Sequence, residues 1–108
     1  MSETVAIILS FRQDETERFE MLFSSEVYPL WKEFKAQGKF ISASLTPALD
    51  APEMKDGKRE YILLVEVPSR AEHDRFDTDS RFLSFLDKVK QSQPAEPKIW
   101  LGDTLFRV

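Results

Sequence analysis

One carboxylate stands out because it lies inside an apolar run. Glu66 interrupts the stretch from Leu63 to Val67. Strand alternation would put Glu66 on the same face as Ile62 and Leu64. Burial there would raise the pKa of the carboxyl group and suit it to general-base catalysis. The alternative is a strand-end glutamate that reaches solvent or pairs with a lysine or arginine, since charged side chains are seldom buried.

The single histidine is the second candidate for acid–base catalysis, because histidine is the side chain that normally changes charge near neutral pH. His73 lies beside Asp74 and four residues before Asp77, so a carboxylate can orient the imidazole ring. A catalytic triad would also need a nucleophile, and no nucleophile-elbow motif is present. The alternative is a surface histidine that pairs with Asp77 one helical turn away.

Six further residues are candidates for binding a small molecule. Ser42 and Ser44 alternate along a predicted strand and could hydrogen-bond a ligand, although small polar residues in alternation also mark the wet face of an edge strand. Large aromatic side chains can line a cavity for an aromatic substrate or pack in the core. The candidates of this kind are Tyr28, Trp31, Tyr61 and Trp100.

The composition excludes several other kinds of site. The 108 residues contain no cysteine, which excludes disulfides, cysteine-ligated zinc, iron–sulfur clusters and a thiol nucleophile. There is no HExxH motif and no second histidine, so we expect neither a metal nor a cofactor. An acidic stretch from Asp77 fails as a calcium loop, because its sixth and twelfth positions are Phe82 and Lys88. Three glycines provide no phosphate-binding loop.

Charge and hydropathy limit the partners and the location. The net charge is -4 and neither half of the chain is basic, which argues against nucleic acid as a partner. The longest apolar run, from Val5 to Leu9, is too short to cross a bilayer, so we expect no membrane association. The chain begins without a signal-peptide pattern, and the predicted location is cytoplasmic.

The elements that must position these residues begin with a strand and a long helix. The run Thr4–Phe11 predicts a strand buried on both faces. Asp14 is the predicted N-cap of the helix, with Glu17 completing a capping box. Gly38 is the predicted left-handed residue at its end.

Pro29 interrupts this helix, because proline lacks the backbone donor and crowds the preceding turn. We therefore expect a kink or a restart near Ser24 and Ser25. The second helix is predicted to begin at Ser69, with Glu72 completing a second capping box, and to break at 77–79 before continuing to about residue 91.

Alternation predicts three more strands, over Phe40–Thr46, Glu60–Val67 and Lys98–Leu101. Phe40 is predicted to share a strand face with Ser42. The connection from 47 to 58 is predicted to be a polar loop with a tight turn at Asp56 and Gly57. The last residues, 105–108, are a candidate extension of the final strand.

The resulting order β-α-β-β-α-β predicts a single α+β domain over residues 1–108, with the ferredoxin-like arrangement of four antiparallel strands and two helices on one face. The strands are apolar on both faces. Val5 and Ile7 alternate with Ala6 and Ile8, so the face without helices also needs a cover. A second copy of the chain is the simplest cover, which predicts a homodimer.

The chain resembles the dimeric α+β barrel superfamily, of the antibiotic-biosynthesis-monooxygenase-like and stress-responsive types, in this element order and in the segment Ser69–Phe82, where a helix restarts after an acidic turn. The resemblance implies a pocket between helices and sheet or between paired sheets, and a cofactor-independent monooxygenase acting on an aromatic or polyketide-like compound. Haem-degrading members use Asn, Trp and His, and this sequence has no Asn. The alternative is a binding or interaction module that uses the same barrel without catalysis.

Overall fold

The computed structural model describes residues 2–50, 57–93 and 96–108. These described residues form four strands and four α-helices in the order β-α-α-β-β-α-α-β, so each predicted helix is divided into two. The strands are β1 Glu3–Arg12, β2 Ser42–Pro47, β3 Lys58–Val67 and β4 Lys98–Asp103. The helices are α1 Thr16–Leu22, α2 Tyr28–Ala36, α3 Arg70–Asp77 and α4 Ser80–Val89.

The strands form one antiparallel sheet in the order β2-β3-β1-β4, which confirms the predicted ferredoxin-like topology. In the register of the two central strands, Val5 lies opposite Val65 and Ile7 opposite Leu63. The helices cover the face on which these side chains lie, here called the helix face. The opposite face, here called the open face, carries Ala6, Ile8, Ile62, Leu64 and Trp100.

The core between the helices and the sheet is rich in phenylalanine. Phe11 of β1 stacks on Phe19 of α1 with ring centroids 4.1 Å apart, and neither ring is accessible to solvent beyond 1%. Phe23 meets Trp31 edge-on at 4.9 Å. Aromatic pairs in these geometries add to the large area that each ring buries, so the rings hold α1 and α2 against the sheet.

The first helix begins differently from the prediction. Asp14 does not cap it, because a 3-10 turn at Gln13–Glu15 precedes α1 and no side chain caps the helix. The carboxylate of Asp14 instead lies 3.9 Å from the guanidinium of Arg12. The turn itself supplies the first backbone bond, since the amide of Thr16 donates to the carbonyl of Gln13.

The predicted restart is confirmed as a π-helical turn at Phe23–Val27, after which α2 begins with Pro29 in its first turn. Proline is tolerated there because the first-turn amides have no partner within the helix. The predicted end of the helix is also confirmed. Gly38 has φ +74, and the amide of Lys39 donates to the carbonyl of Phe34 at 2.8 Å.

Strand β2 begins at Ser42, and the prediction that Phe40 shares a strand face with Ser42 is wrong. Phe40 lies before the strand, is buried, and packs against Phe34 and Phe76 with centroids 5.4 and 5.1 Å away. The ring can enter the core because Phe40 lies in the turn before β2 and not in the strand. Gly57 has a positive φ of +78, as a tight turn requires, whereas Asp56 lies outside the described residues.

The break in the second helix is confirmed between α3 and α4, where the side chain of Asp79 accepts a bond from the amide of Arg81 at 2.9 Å. The predicted capping box of Ser69 and Glu72 is wrong, because its hydrogen bonds do not form. Ser69 occupies the cap position with extended backbone, but its side chain makes no capping hydrogen bond. Glu72 instead pairs with Arg75 at 2.6 Å on the surface of the same helix.

The C-terminal residues do not extend β4, contrary to the prediction. Pairing continues only as far as Thr104, whose amide donates to the carbonyl of Ser2 at 3.1 Å. The chain then leaves the strand, and Arg107 forms an ion pair with Glu66 at 3.0 Å. Among residues 2–50, 57–93 and 96–108, no helix is long and apolar enough to cross a membrane.

Candidate functional site

A small cavity of about 50 Å³ lies between the helices and the sheet. Its apolar lining includes Val5, Ile7 and Leu63 from the sheet and Val27, Trp31 and Phe76 from the helices. Among the described residues that line it, only His73 and Asp77 carry ionisable side chains. We call this space the inner cavity.

His73 is held between two carboxylates at the edge of the inner cavity. Its Nδ1 lies 2.6 Å from Oε1 of Glu3, and its Nε2 lies 3.0 Å from Oδ2 of Asp77. Arg70 lies 3.3 Å from the other oxygen of Glu3. The pairing with Asp77, which was the alternative interpretation of His73, is present, and His73 also connects α3 to the first residue of β1.

The carboxyl group of Asp77 is less acidic than usual. Burial raises its pKa, the neighbouring His73 opposes that shift, and the carboxylates of Asp74 and Glu3 add to it. Both ring nitrogens of His73 face carboxylates, so the imidazole ring is held in one orientation at the edge of the cavity.

A second and larger space also has Trp31 in its lining. This cleft has a volume of about 410 Å³ and lies between the first two helices and the edge strand β2. Its lining includes Phe23, Tyr28, Trp31 and Tyr61, together with Glu20 and Ser44. We call it the aromatic cleft. It brings together four of the residues that the sequence predicts for ligand binding, namely Tyr28, Trp31, Tyr61 and Ser44.

The polar centre of the aromatic cleft is a tyrosine–glutamate pair. The hydroxyl of Tyr61, a residue only 1% exposed, donates to Oε2 of Glu20 at 2.5 Å. Burial raises the pKa of Tyr61 above its ordinary value, and the bond to Glu20 raises it further. Tyr61 therefore stays protonated and fixes the carboxylate of Glu20 at the cleft.

Glu20 was missed by the sequence analysis. It lies beside Phe19 on α1, where helical periodicity assigns a charged residue to the solvent face. Its partner Tyr61 is 41 positions away along the chain. No local pattern predicts a pair so far apart in sequence, because only the packing of α1 over β3 brings the two residues together.

Trp31 forms a wall common to both spaces, since it lines the inner cavity and the aromatic cleft. The residue is 6% exposed, and the edge of Phe23 supports its indole ring. A change at this one side chain would therefore alter both spaces together.

Glu66 lies elsewhere, on the open face. Its carboxylate accepts bonds from the hydroxyl of Ser2 at 2.6 Å and from Arg107 at 3.0 Å. The bond from Ser2, with help from Arg107 and Thr104, holds the pKa of Glu66 below its usual range. The expectation of a raised pKa is therefore wrong, and the alternative of an arginine-paired glutamate describes this residue.

The remaining candidates also lie away from the cleft. Ser42 is exposed and lies opposite Glu66 in the pairing of β2 with β3. Trp100 lies opposite Ala6 on the edge strand β4 and is 58% exposed. Glu66 and His73 are on opposite faces of the sheet. His73 contacts Glu3, which is paired with Val67 and shares its face. Glu66 precedes Val67 in β3, so its side chain lies on the other face.

No cluster of three or more His, Asp or Glu side chains in the described part of the chain is arranged to hold a metal ion. The His73 cluster illustrates the reason. Both ring nitrogens are engaged by carboxylate oxygens, so the three groups face one another and do not converge on an empty point.

Comparison with known proteins gives structural matches only. No family model matches the chain, and no curated protein matches it. A candidate antibiotic biosynthesis monooxygenase from Nitrosomonas europaea superposes with a TM-score of 0.79 over 97% of this chain and 91% of its own, at 13% identity. Rv0793 from Mycobacterium tuberculosis gives 0.78 over 99% and 98%, at 17% identity.

The chain has the fold of the antibiotic biosynthesis monooxygenases. A third match is SnoaB, a cofactor-independent oxygenase from Streptomyces nogalater, with a TM-score of 0.68, 16% identity and coverage of 99% of this chain and 96% of that one. These superpositions establish a common α+β fold, which confirms the resemblance drawn from the sequence at the level of architecture.

Proposed function

We propose that this protein binds a planar aromatic, polyketide-like compound in the aromatic cleft and oxygenates it without a cofactor. The observation that carries the proposal is the aromatic cleft itself, whose lining includes Tyr28, Trp31 and Tyr61 together with Glu20, whose carboxylate accepts the bond from Tyr61. Its volume of about 410 Å³ lies in the range of small-molecule sites. SnoaB, with the same fold, is a cofactor-independent oxygenase.

The proposed reaction converts a ring methylene into a carbonyl. Oε2 of Glu20 holds the bond from Tyr61, so Oε1 takes a proton from the methylene carbon. The carbanion gives up electrons to dioxygen, a carbon–oxygen bond forms, and the returned proton completes a hydroperoxide. Loss of the second hydrogen with cleavage of the O–O bond leaves the carbonyl and releases water. The carbon supplies all four electrons.

A binding module without catalysis is the second candidate. It is favoured by the separation of the two predicted acid–base residues, since Glu66 is engaged by Arg107 on the open face and His73 lies on the helix face. In that case the aromatic cleft would still bind an aromatic ligand, and no dioxygen would be consumed.

The experiment that separates these functions uses an anthrone as the probe. Quenching of tryptophan fluorescence measures binding, and an oxygen electrode measures turnover. We expect Glu20→Gln to lower kcat about a hundredfold or more with binding retained, because it removes the base. Glu17→Gln, an exposed change on the same helix, should leave kcat unchanged. Binding without oxygen uptake in the unmodified protein would favour the binding module.

We also propose that the protein is a homodimer joined through the open face. On that face Leu64 is 43% exposed and Trp100 is 58% exposed, beside partly buried Ile8 and Ile62. Patches of this kind commonly mark an interface. Light scattering should give twice 12.6 kDa. Leu64→Lys should give the monomer, whereas Leu49→Lys, at a loop residue that is already 92% exposed, should not.

A further inference from the structure

The inner cavity has a size that suits a dissolved gas better than an aromatic ring. Its volume is about 50 Å³. An apolar cavity of roughly 150 Å³ is known to admit benzene or xenon, whereas about 10–15 Å³ is the smallest space for one water molecule. An aromatic substrate is therefore confined to the aromatic cleft, and the inner cavity remains open to a diatomic molecule.

The chemistry of the walls also disfavours water. An internal water molecule needs two to four polar partners. The ionisable side chains that line the cavity are those of His73 and Asp77, and both nitrogens of His73 are already bonded. The other lining side chains are aliphatic or aromatic, with Val27 only 1% and Val67 0% exposed. A nonpolar gas loses little on entering such a space.

We propose that the inner cavity binds dioxygen and supplies it to the aromatic cleft, an inference that rests on the proposed oxygenase function. Trp31 is the wall common to both spaces. Dioxygen in the inner cavity and a substrate in the cleft would therefore both contact Trp31. The gas binds unchanged in the cavity, and the electron transfer and bond formation take place on the substrate carbon.

Xenon tests the cavity independently of any reaction. We expect ¹²⁹Xe NMR of the purified protein to show one saturable site. Val27→Leu places an extra methylene into the cavity and should weaken xenon binding at least threefold. Val89→Leu makes the same change at an equally buried helical valine that does not line the cavity, and should leave xenon binding unchanged.

With an anthrone as substrate, Val27→Leu should raise the KM for dioxygen at least threefold without changing the Kd of the anthrone, while Val89→Leu changes neither. Absence of xenon binding, or ordered water filling the cavity in a crystal structure, would overturn the proposal while leaving aromatic binding and turnover intact. Xenon binding without oxygen uptake would refute the oxygenase function. It would also refute the proposal that dioxygen occupies the inner cavity. An equal response of the two valine variants would also overturn the proposal.

Discussion

Tyr61→Phe isolates the central hydrogen bond of the aromatic cleft. The substitution removes one hydroxyl and keeps the ring, which is 1% exposed and packs against Phe19 with centroids 4.9 Å apart. Hydrogen bonds to charged groups contribute about 1.5–3 kcal/mol to folding. Glu20 is exposed and water can replace its lost partner, so the loss should fall at the lower end of this range, about 1.5–2 kcal/mol.

Chemical denaturation with urea measures this loss, and a thermal melt should show a fall of about 4–8 °C for each kcal/mol. Tyr28→Phe is the matched control, because Tyr28 lines the same cleft but is 50% exposed. Its free energy of unfolding should change by less than about 0.5 kcal/mol. A loss of the same size in both variants would show that the buried hydroxyl has no special role.

A second prediction compares the stability of Tyr61→Phe with that of the unmodified protein at alkaline pH. The pKa of Tyr61 is raised in the folded protein above its ordinary value of 10.0. The folded state therefore keeps its proton where the unfolded chain loses it, so this contribution is complete below pH 10 and is lost as the pH rises above it. Tyr61→Phe should lose less stability than the unmodified protein above pH 10. Equal alkaline slopes would refute the inferred burial of the phenol and its bond to Glu20.

Three further predictions concern the elements that hold the site. Phe19→Ala should lower the free energy of unfolding by about 3–5 kcal/mol in urea denaturation, since the ring is 1% exposed, and a loss below about 1 kcal/mol would contradict its place in the core. Gly38→Ala should cost about 1 kcal/mol in the same assay because φ is +74, and a gain in stability would argue against the left-handed turn. Asp79→Ala should lower the free energy of unfolding by about 0.5–2 kcal/mol, because it removes the cap of α4. Ser69→Ala, at the start of α3, should change thermal stability little, because Ser69 makes no capping bond. Equal losses of stability in the two variants would show that the capping bonds differ from those described.

Much of the fold could be predicted because its signals are local. The apolar run in β1, the alternation in β3, the glycine at position 38 and the helix break at 77–79 each depend on signals within a few residues. Pro29 likewise indicated the interruption of the first helix, because the loss of a backbone donor has an immediate local effect. Asp14 shows the limit of such signals, since a preceding 3-10 turn replaced the predicted cap.

The site could be predicted only in part, because its decisive pairs are distant in sequence. The bond of Tyr61 to Glu20 joins residues 41 apart, and that of His73 to Glu3 joins residues 70 apart. The aromatic residue types were recognisable, but the face on which each lies depends on how helices cross the sheet. Glu66 was misjudged for the same reason, since its partner Arg107 comes from the far end of the chain.

The π-helical turn at Phe23–Val27 changes the direction in which the side chains that follow it point around the helix axis. The apolar residues Phe19, Phe23, Val27 and Trp31 recur at every fourth position. In an unbroken α-helix a four-residue step overshoots a full turn by about 40°, so three steps would rotate Trp31 about 120° away from Phe19. A π-helical turn contains more residues per revolution and takes up this drift. It thereby lets a strict four-residue repeat keep one helical face continuous, from the Phe19 ring in the core to the indole between the two spaces.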